Sequence, residues 1–402
     1  MKIGIIHEGK NPPDKRAAFS PEQLKYIQHT FHEEFEIQVE SSAVRSFSDE
    51  EYAAAGIAVV EDISQCEVLF GVKEVPIDQL IPGKTYFFFS HTIKRQPYNR
   101  KLLRAVLEKN IRLIDYEVLK DSNGNRVVAF GRWAGIVGAY NALWTYGKKT
   151  ALFTMKRANQ CSDLPELFSE LGRVNLPPIK IIVTGTGRVG KGILEVLAIL
   201  KIKQVSTSDF LHRYDEEPVY VVLSSQDHYR RKTDGGYDKQ EFYDFPDRYE
   251  SHFHKFAEQG EILISGAYWN PGAPRMFEII DLQEEDFQIS VIADVSCDIA
   301  GALPTTKRAS TIVDPVYDID RLSGEELPAF GSQTSISVMA IDNLPCELPR
   351  EASKEFGCQL LTWVIPALLE IESGLLERAT IARDGDLTLE FMHLRDYVYP
   401  NE

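Results

Sequence analysis

Cysteine is scarce. Cys66, Cys161, Cys297, Cys346 and Cys358 are odd in number and scattered over 402 residues without a CxxC spacing. Such a pattern indicates neither a disulfide framework nor a zinc site. Basic charge is also short, with 44 Lys and Arg against 60 Asp and Glu and a net charge of −16. A chain that tracks nucleic-acid phosphates wants the opposite balance, so nucleic acid is excluded as a partner. No apolar run approaches a membrane span, and the run in the opening MKIGIIHEGK is four residues, too short for a signal-peptide core. Internal repeats and low-complexity segments are missing as well. A soluble, cytoplasmic protein is expected. Its length exceeds what one hydrophobic core serves, so two domains are expected.

What the chain does have is one passage organised around glycine, IKIIVTGTGRVGKGILEVLAIL from Ile179 to Leu200. Pro177-Pro178 mark its start and the β-branched run to Thr184 predicts a strand. Val189, Ile193, Leu197 and Leu200 then recur at helical spacing. Gly185, Gly187 and Gly190 stand between strand and helix. In a dinucleotide site they serve a tight turn, close approach of pyrophosphate and close helix packing, with Arg188 and Val189 in the same contact. The pyrophosphate lies over the helix N-terminus, where unpaired N–H groups favour an anion. A second short strand, Gln204 to Thr207, leads to Asp209, an acid suited to the ribose hydroxyls. A tight turn in a non-binding α/β domain is the competing reading.

The first 130 residues predict an α/β unit of their own. Strands are expected at Lys2 to His7, Phe35 to Val39, Ile57 to Val60, Val68 to Glu74, Thr85 to Ser90 and Ile111 to Tyr116. Helices are expected after the Ser20-Pro21-Glu22 cap, at Ser48 to Ala55 and at Gln96 to Lys109. Alternation of this kind implies parallel sheet, and ligands gather at the carboxyl ends of such strands. Lys73-Glu74, His91 with Lys94, and Asp115-Tyr116-Glu117 each close a strand, and they form one patch if the strands are neighbours. Plain alternatives stand beside this: a solvated gatekeeper for Lys73 and a structural ring for His91. Adjacent strand residues face opposite ways, so Lys73 and Glu74 share a pocket only if the strand has already ended.

Gly131 to Thr150 predicts an apolar helix leaving the first domain, and Arg157 to Leu176 a helix pair or a loop. Further strands are expected at Val219 to Leu223, Glu261 to Gly266 and Ser290 to Val295. The polar stretch Ser224 to Glu250 reads as a solvated loop, although its Arg230-Arg231-Lys232 cluster suits phosphate. His252 and His254 have no third ligand nearby in sequence, so no metal is expected. Asp294, ending a strand, is expected to face the cofactor from the same sheet edge. Ser335 to Ile341 predicts a strand of the first domain, Asn343-Leu344-Pro345 a turn, and Pro349 to Glu372 a helix. Its buried side carries Phe356, Leu360, Leu361, Val364 and Leu368. Ala379 to Ala382 and Leu387 to Phe391 pair across the turn signal Asp384-Gly385-Asp386. The domains expected are 1–132 with 336–402, and 133–335.

Several stretches resemble the lysine-forming saccharopine dehydrogenases, most closely the lysine–2-oxoglutarate reductase half of the bifunctional animal and plant enzyme of lysine breakdown. They are DKRAAFSP, KTYFFFSHTIKRQPYN, IRLIDYE, RVVAFGRWAGIVG, the glycine turn, VLSSQDHYRRKTDGGYD, ISGAYWNPGAPR and AIDNLPCELPREASKEF. Alanine dehydrogenase and the nucleotide subunit of transhydrogenase share the Lys-then-His layout more distantly. The resemblance implies two Rossmann-like α/β domains with the active site in a cleft between them, the cofactor domain a doubly wound parallel sheet. It implies reversible oxidation of saccharopine to lysine and 2-oxoglutarate. Lys73 then moves protons at the carbonyl and carbinolamine oxygen, and His91 at the secondary amine. Arg16 and Arg126 bind carboxylates as forks and Lys94 as a point charge. Lys94 and Arg16 lower the pKa of Lys73, while Glu74 and Glu117 act the opposite way. Asp342 is expected at the cofactor or a substrate amine.

The cofactor is NAD or NADP. Asp209 repels a 2′-phosphate and favours NAD, whereas Ser206, Thr207 and Ser208 suit that phosphate; NAD is preferred. No fused glutamate-forming dehydrogenase is expected after Glu402. Small amino acids and 2-oxo acids are the partners, and a homo-oligomer stays open. Two other readings remain: an alanine-type or opine-like amino-acid dehydrogenase, and a non-catalytic dinucleotide-binding subunit. Retention of Lys73 and His91 counts against the second.

Overall fold

The computed structural model describes residues 1–370 and 373–399. They form two units, Met1–Phe130 with Pro349–Glu402, and Gly131–Leu348. In the first unit, β1 (Lys2–Ile5), β2 (Glu36–Glu40), β3 (Ala58–Val60), β4 (Val68–Phe70), β5 (Thr85–Phe88) and β6 (Arg112–Asp115) build one parallel sheet. Their order is β3-β2-β1-β4-β5-β6. Thr380–Arg383 adds antiparallel to β6, and Asp386–Leu387 lies beyond it. Asp384 and Gly385 both have positive φ (54° and 78°), the backbone of a type I′ hairpin turn.

Short runs such as VLF in β4 and YFF in β5 are buried throughout because cores cover both faces of the sheet. Phe70 and Phe87 join Phe19, Tyr116 and Phe356 on one side. Leu69, Tyr86 and Phe88 join Leu103 and Leu113 on the other. Ser20 and Gln23 form a capping box that starts the helix Pro21–Thr30. The helix Pro349–Leu368 contains Phe356, Leu360 and Val364 fully buried. Its expected end at Glu372 lies outside the described residues. From β1 the chain fills one side of the sheet with β2 and β3 and then returns to the other with β4. The carboxyl ends of β1 and β4 therefore flank a topological switch point.

The second unit contains β7 (Lys180–Thr184), β8 (Lys203–Gln204), β9 (Val219–Leu223), β10 (Tyr229–Arg231), β11 (Tyr249–Ser251), β12 (Ile262–Ser265), β13 (Val291–Asp294), β14 (Val316–Ile319), β15 (Glu326–Leu327) and β16 (Ile336–Met339). Its main sheet runs β8-β9-β7-β12-β13-β16 in parallel, followed by antiparallel β14 and β15. Helices Gly131–Thr150 and Arg188–Ile199 cross at backbone contact: a Cβ on Gly135 would stand 2.0 Å from the Val189 carbonyl oxygen. A Cβ on Gly192 would stand 2.1 Å from that of Arg132. Among the described residues no helix is long and apolar enough to cross a membrane. Both sheets end in strands of two or three residues: β3 and Asp386–Leu387 in the first, β8 and β15 in the second.

Three expectations about this unit fail. The strand expected to return to the first domain is β16, which pairs with β13 and β14 here. Ile336 and Val338 are fully buried in this core. Alternating with them, Ser335 and Ser337 donate to the Asp318 carboxylate at 2.5 and 2.7 Å. Buried Lys149 donates to the Ser332 carbonyl at 3.2 Å. Residues 224–250 are not a solvated loop either. They fold as helix Ser225–His228, β10, helix Lys239–Asp244 and β11 around Tyr229, Phe242 and Tyr249. Finally, the strand expected at Gln204 to Thr207 is only Lys203–Gln204, at the sheet edge, and β9 lies between it and β7. Val-Tyr-Val-Val-Leu is apolar and buried, whereas Lys203-Gln204 is polar and exposed, so only the latter tolerates the edge.

Candidate active site

Strand β4 ends at Phe70, three residues before Lys73, so Lys73 and Glu74 occupy a loop in which strand alternation no longer separates them. Glu8, just past β1, reaches over that loop. Its Oε1 accepts the Val72 N–H at 2.6 Å and its Oε2 the Lys73 N–H at 2.9 Å. One carboxylate thus ties the two sides of the switch point together. Burial, and then the charge of Asp14, push the Glu8 carboxyl upward; the two N–H bonds and Arg16 oppose this and lose. Glu74 accepts from Lys10 Nζ at 2.8 Å through Oε2, and its Oε1 lies 3.8 Å from His91 Nε2.

His91 adopts a left-handed backbone (φ 53°) just after β5. For a residue with a Cβ this costs about 1–2 kcal/mol, a strain that concentrates at functional sites. Its ring stacks on Phe89 at 6.2 Å, and its Nδ1 meets Glu117 Oε2 at 3.2 Å. Lys94 Nζ lies 3.6 Å from the other oxygen of the same carboxylate. Glu117 is held in turn by its N–H, which donates to Asp115 Oδ1 at 2.7 Å. Asp115 Oδ2 accepts from the Ser90 N–H at 3.1 Å and from the Ser90 hydroxyl. Buried Asp115 therefore locks the ends of β5 and β6, and burial raises its own pKa. Burial also favours a neutral Glu117, but the His91 hydrogen bond and the charges of Lys94, His91 and Arg126 outweigh it and hold that carboxyl at about 2.

Phe89, Phe130 and Phe356 form an aromatic floor, with Phe130 stacked on Phe356 at 4.4 Å and 6.1 Å from Phe89. The Arg16 guanidinium lies 4.2 Å above Phe130 and that of Arg126 5.1 Å above Phe89. Arg126 Nε donates to the Val128 carbonyl at 2.9 Å. Arg16 is 2% exposed and turns its fork onto Asp14, with Nε and Nη2 at 3.0 and 2.6 Å. The fork expected to hold a substrate carboxylate is thus closed by an internal acid. Glu74, His91, Lys94, Glu117 and Arg126 lie in one cluster, and the main chain of Lys73 joins it through Glu8. Glu8, Lys10 and Asp14 are additions. The strand-end rule applied to β1 points to His7-Glu8, which is the signal that finds the first of them.

In the second unit, Gly185 has φ 94° and its N–H donates to the Leu223 carbonyl at 3.0 Å. A Cβ on Gly190 would fall 2.0 Å from the Gly185 carbonyl oxygen. A Cβ on Gly187 would meet nothing within 4 Å. The fold gives no steric reason for glycine at 187, whereas pyrophosphate lying against the backbone does. Arg188 and Val189 open the helix that follows. The turn fits a dinucleotide.

Two of the acids expected beside it, Asp209 and Asp294, are placed otherwise. Asp209 sits in the helix Thr207–His212, where its carboxylate accepts from the Ser206 hydroxyl at 2.8 Å. That helix leaves β8, two strand spacings or about 9.6 Å from β7. Val205 bonds Tyr220, three residues and hence about 10 Å below the Leu223 level. Ser206, Thr207 and Ser208 share this displacement. Asp294 is 2% exposed and shapes the loop after β13, accepting from the Ser296 hydroxyl at 2.8 Å and the Thr306 hydroxyl at 2.7 Å. Asp342 is exposed, and its N–H donates to the Ser310 carbonyl at 3.1 Å. His254, for which no third metal ligand stands nearby in sequence, has Glu284 and Asp286 at 3.0 and 3.7 Å, and both acids are exposed.

Residues 4–137 match the family model of the alanine dehydrogenase/PNT N-terminal domain. Over 99% of its length the chain is 32% identical to the Mus musculus alpha-aminoadipic semialdehyde synthase, mitochondrial, and covers 47% of that protein. It thus spans about half the length of this relative. It is 26% identical to the saccharopine dehydrogenase [NAD(+), L-lysine-forming] of Yarrowia lipolytica, with 92% of each covered. A solved L-alanine dehydrogenase superposes over 100% of this chain and 99% of its own with a TM-score of 0.65 at 17% identity. A transhydrogenase from Sinorhizobium meliloti reaches 0.61 at 16% identity, covering 96% of this chain and 100% of its own. The fold is that of these two proteins.

Proposed function

We propose that this chain, a relative of the lysine-forming saccharopine dehydrogenases whose residues 4–137 are an alanine dehydrogenase/PNT N-terminal domain, interconverts saccharopine with lysine and 2-oxoglutarate. A bound nicotinamide dinucleotide, NAD by the name of the Yarrowia lipolytica relative, gives or takes the hydride. Gly185, Gly187 and Gly190 hold its pyrophosphate. In the direction of saccharopine formation the ε-amine of lysine adds to the keto carbon, and Lys73 donates a proton to the carbonyl oxygen. Reprotonated by the proton that His91 receives from the amine, Lys73 donates again when water leaves the carbinolamine. His91 takes the proton that the amine loses, and anionic Glu117 stabilises the imidazolium so formed. Arg126 and Lys94 attract the carboxylates. The expected cytoplasmic location and the small-molecule partners belong to the same proposal.

The contact between His91 and Glu117, beside the Lys73-Glu74 loop at the switch point, carries this assignment. The test is purified protein with NADH or NADPH and 2-oxoglutarate, with and without lysine, followed at the nicotinamide absorbance band. Lysine-dependent oxidation is expected. Pyruvate with ammonia as the only productive pair would make the protein an alanine-type dehydrogenase. Dinucleotide binding without turnover on any pair would make it a non-catalytic subunit.

A further inference from the structure

With a nicotinamide dinucleotide assigned to the glycine turn, as proposed above, we infer that the 2′ position of its adenosine ribose is read by the segment Ser224 to Arg230 after β9, with Arg230 as the cation for a 2′-phosphate. Sheet order carries this. The ribose of a dinucleotide anchored on a glycine turn lies beyond the carboxyl end of the strand next to the glycine strand. Here that strand is β9, paired with β7 from Lys180–Val219 to Thr184–Leu223. Because the Gly185 N–H donates to the Leu223 carbonyl, the chain leaves β9 level with the turn and one strand spacing away, about 4.8 Å. Asp209 starts two spacings away and lower on the sheet.

The chemistry of the segment points the same way. Ser224, Ser225 and Gln226 offer neutral hydrogen-bonding groups. Its one acid, Asp227, is drawn into its own turn, where Oδ2 accepts the Ser224 N–H at 2.7 Å and the Ser224 hydroxyl at 2.6 Å. Arg230 folds back over that turn, its Nη1 donating to the Gln226 carbonyl and, at 2.9 Å, to the Tyr229 carbonyl. Lys255 adds a second positive charge within electrostatic reach of Arg230 and Asp227. The neighbouring Arg231 is committed elsewhere, to Asp234 at 2.7 Å and Glu241 at 2.6 Å. Two cations beside one internally bonded acid, with the Ser224 hydroxyl held by Asp227 and that of Ser225 shared with Tyr237, accommodate a phosphate as well as a free diol. The chain therefore binds NADPH as well as NADH.

Fluorescence titration of the full chain with NADH and with NADPH tests this, using the wild type, Ser225→Asp, Arg230→Ala and Asp209→Asn. Aspartate suits the first turn of a helix, so Ser225→Asp is compatible with the local fold, and melting temperature checks this for each variant. The wild type is expected to bind the two within about tenfold of each other. Ser225→Asp and Arg230→Ala are each expected to raise the ratio of Kd for NADPH to Kd for NADH by about tenfold. Asp209→Asn is expected to leave it within about twofold. A wild type that rejects NADPH, or a ratio that responds to Asp209→Asn and not to the other two, would overturn the inference. Failure of the wild type to bind either dinucleotide would instead remove the cofactor assignment on which it rests.

Discussion

Glu117 Oε2 stands 3.2 Å from His91 Nδ1, while the other oxygen of that carboxylate meets Lys94 Nζ at 3.6 Å. The folded protein holds this carboxyl at about 2, below its ordinary 4.5, so its contribution to stability is full above 4.5 and is lost as pH falls towards 2. Glu117→Gln should therefore be less stable than the wild type at neutral pH by on the order of 1–2 kcal/mol, allowing for coupling among the charges. Urea unfolding from neutral pH down to pH ~3 should show the gap closing. A gap that stays constant contradicts the ionic account.

Glu8 behaves in the opposite sense. Its carboxyl is raised above the ordinary 4.5, so the stability it contributes is present below that value and is lost as pH rises through the folded value. Glu8→Gln, which never ionises, should gain on the wild type in melting temperature as pH is raised from the acid side. Glutamine offers one acceptor oxygen where two N–H groups need two, so the Lys73 loop loosens and kcat should fall about tenfold with KM little changed. Parallel melting curves at every pH would count against the assignment.

The glycines of the turn separate binding from folding. Gly187→Ala should leave the melting temperature within about 2 °C while weakening NADH binding at least about tenfold, since its methyl meets only ligand space. Gly190→Ala should lower stability by about 1–3 kcal/mol, because its methyl overlaps the Gly185 carbonyl. Equal loss of stability in both variants would show that no ligand space exists at 187.

Removing the proton carriers should cost rate and spare the dinucleotide. Lys73→Met and His91→Gln should each lower kcat by about 10²-fold or more. The Kd for NADH should stay within about twofold, since both residues belong to the unit without the glycine turn. A rate loss traced wholly to KM would make them binding residues.

Much of the first unit is legible because its signals are local. Ser20 with Gln23, the type I′ pair Asp384-Gly385 and the apolar runs of β4 and β5 each announce their own element. Lys73, His91 and Glu117 are picked out by one rule, the carboxyl end of a strand, and the contact of His91 with Glu117 follows from β5 and β6 being neighbours. Less legible is anything decided by competition between distant segments. Sequence order alone allows either β8 or β9 beside β7, and Asp209 is misplaced for that reason. The deciding fact, a polar two-residue strand against an apolar five-residue one, concerns burial rather than motif. Charge likewise masks the aromatic core of residues 224–250, where Tyr229, Phe242 and Tyr249 pack. Glu8 escapes because its role is a reach across the sheet to Val72 and Lys73, 64 and 65 residues away.

The outermost strands carry a consequence for handling. Ala58–Val60, Lys203–Gln204, Glu326–Leu327 and Asp386–Leu387 are only two or three residues long, so each leaves few main-chain groups open on its outer side. These edges give a second polypeptide no long rail of amide groups along which to zip, and three of the four carry a charge, Lys203, Glu326 and Asp386. Concentrated stocks should accordingly resist seeding into fibrils from the native state, and whatever self-association occurs must run through side-chain surfaces.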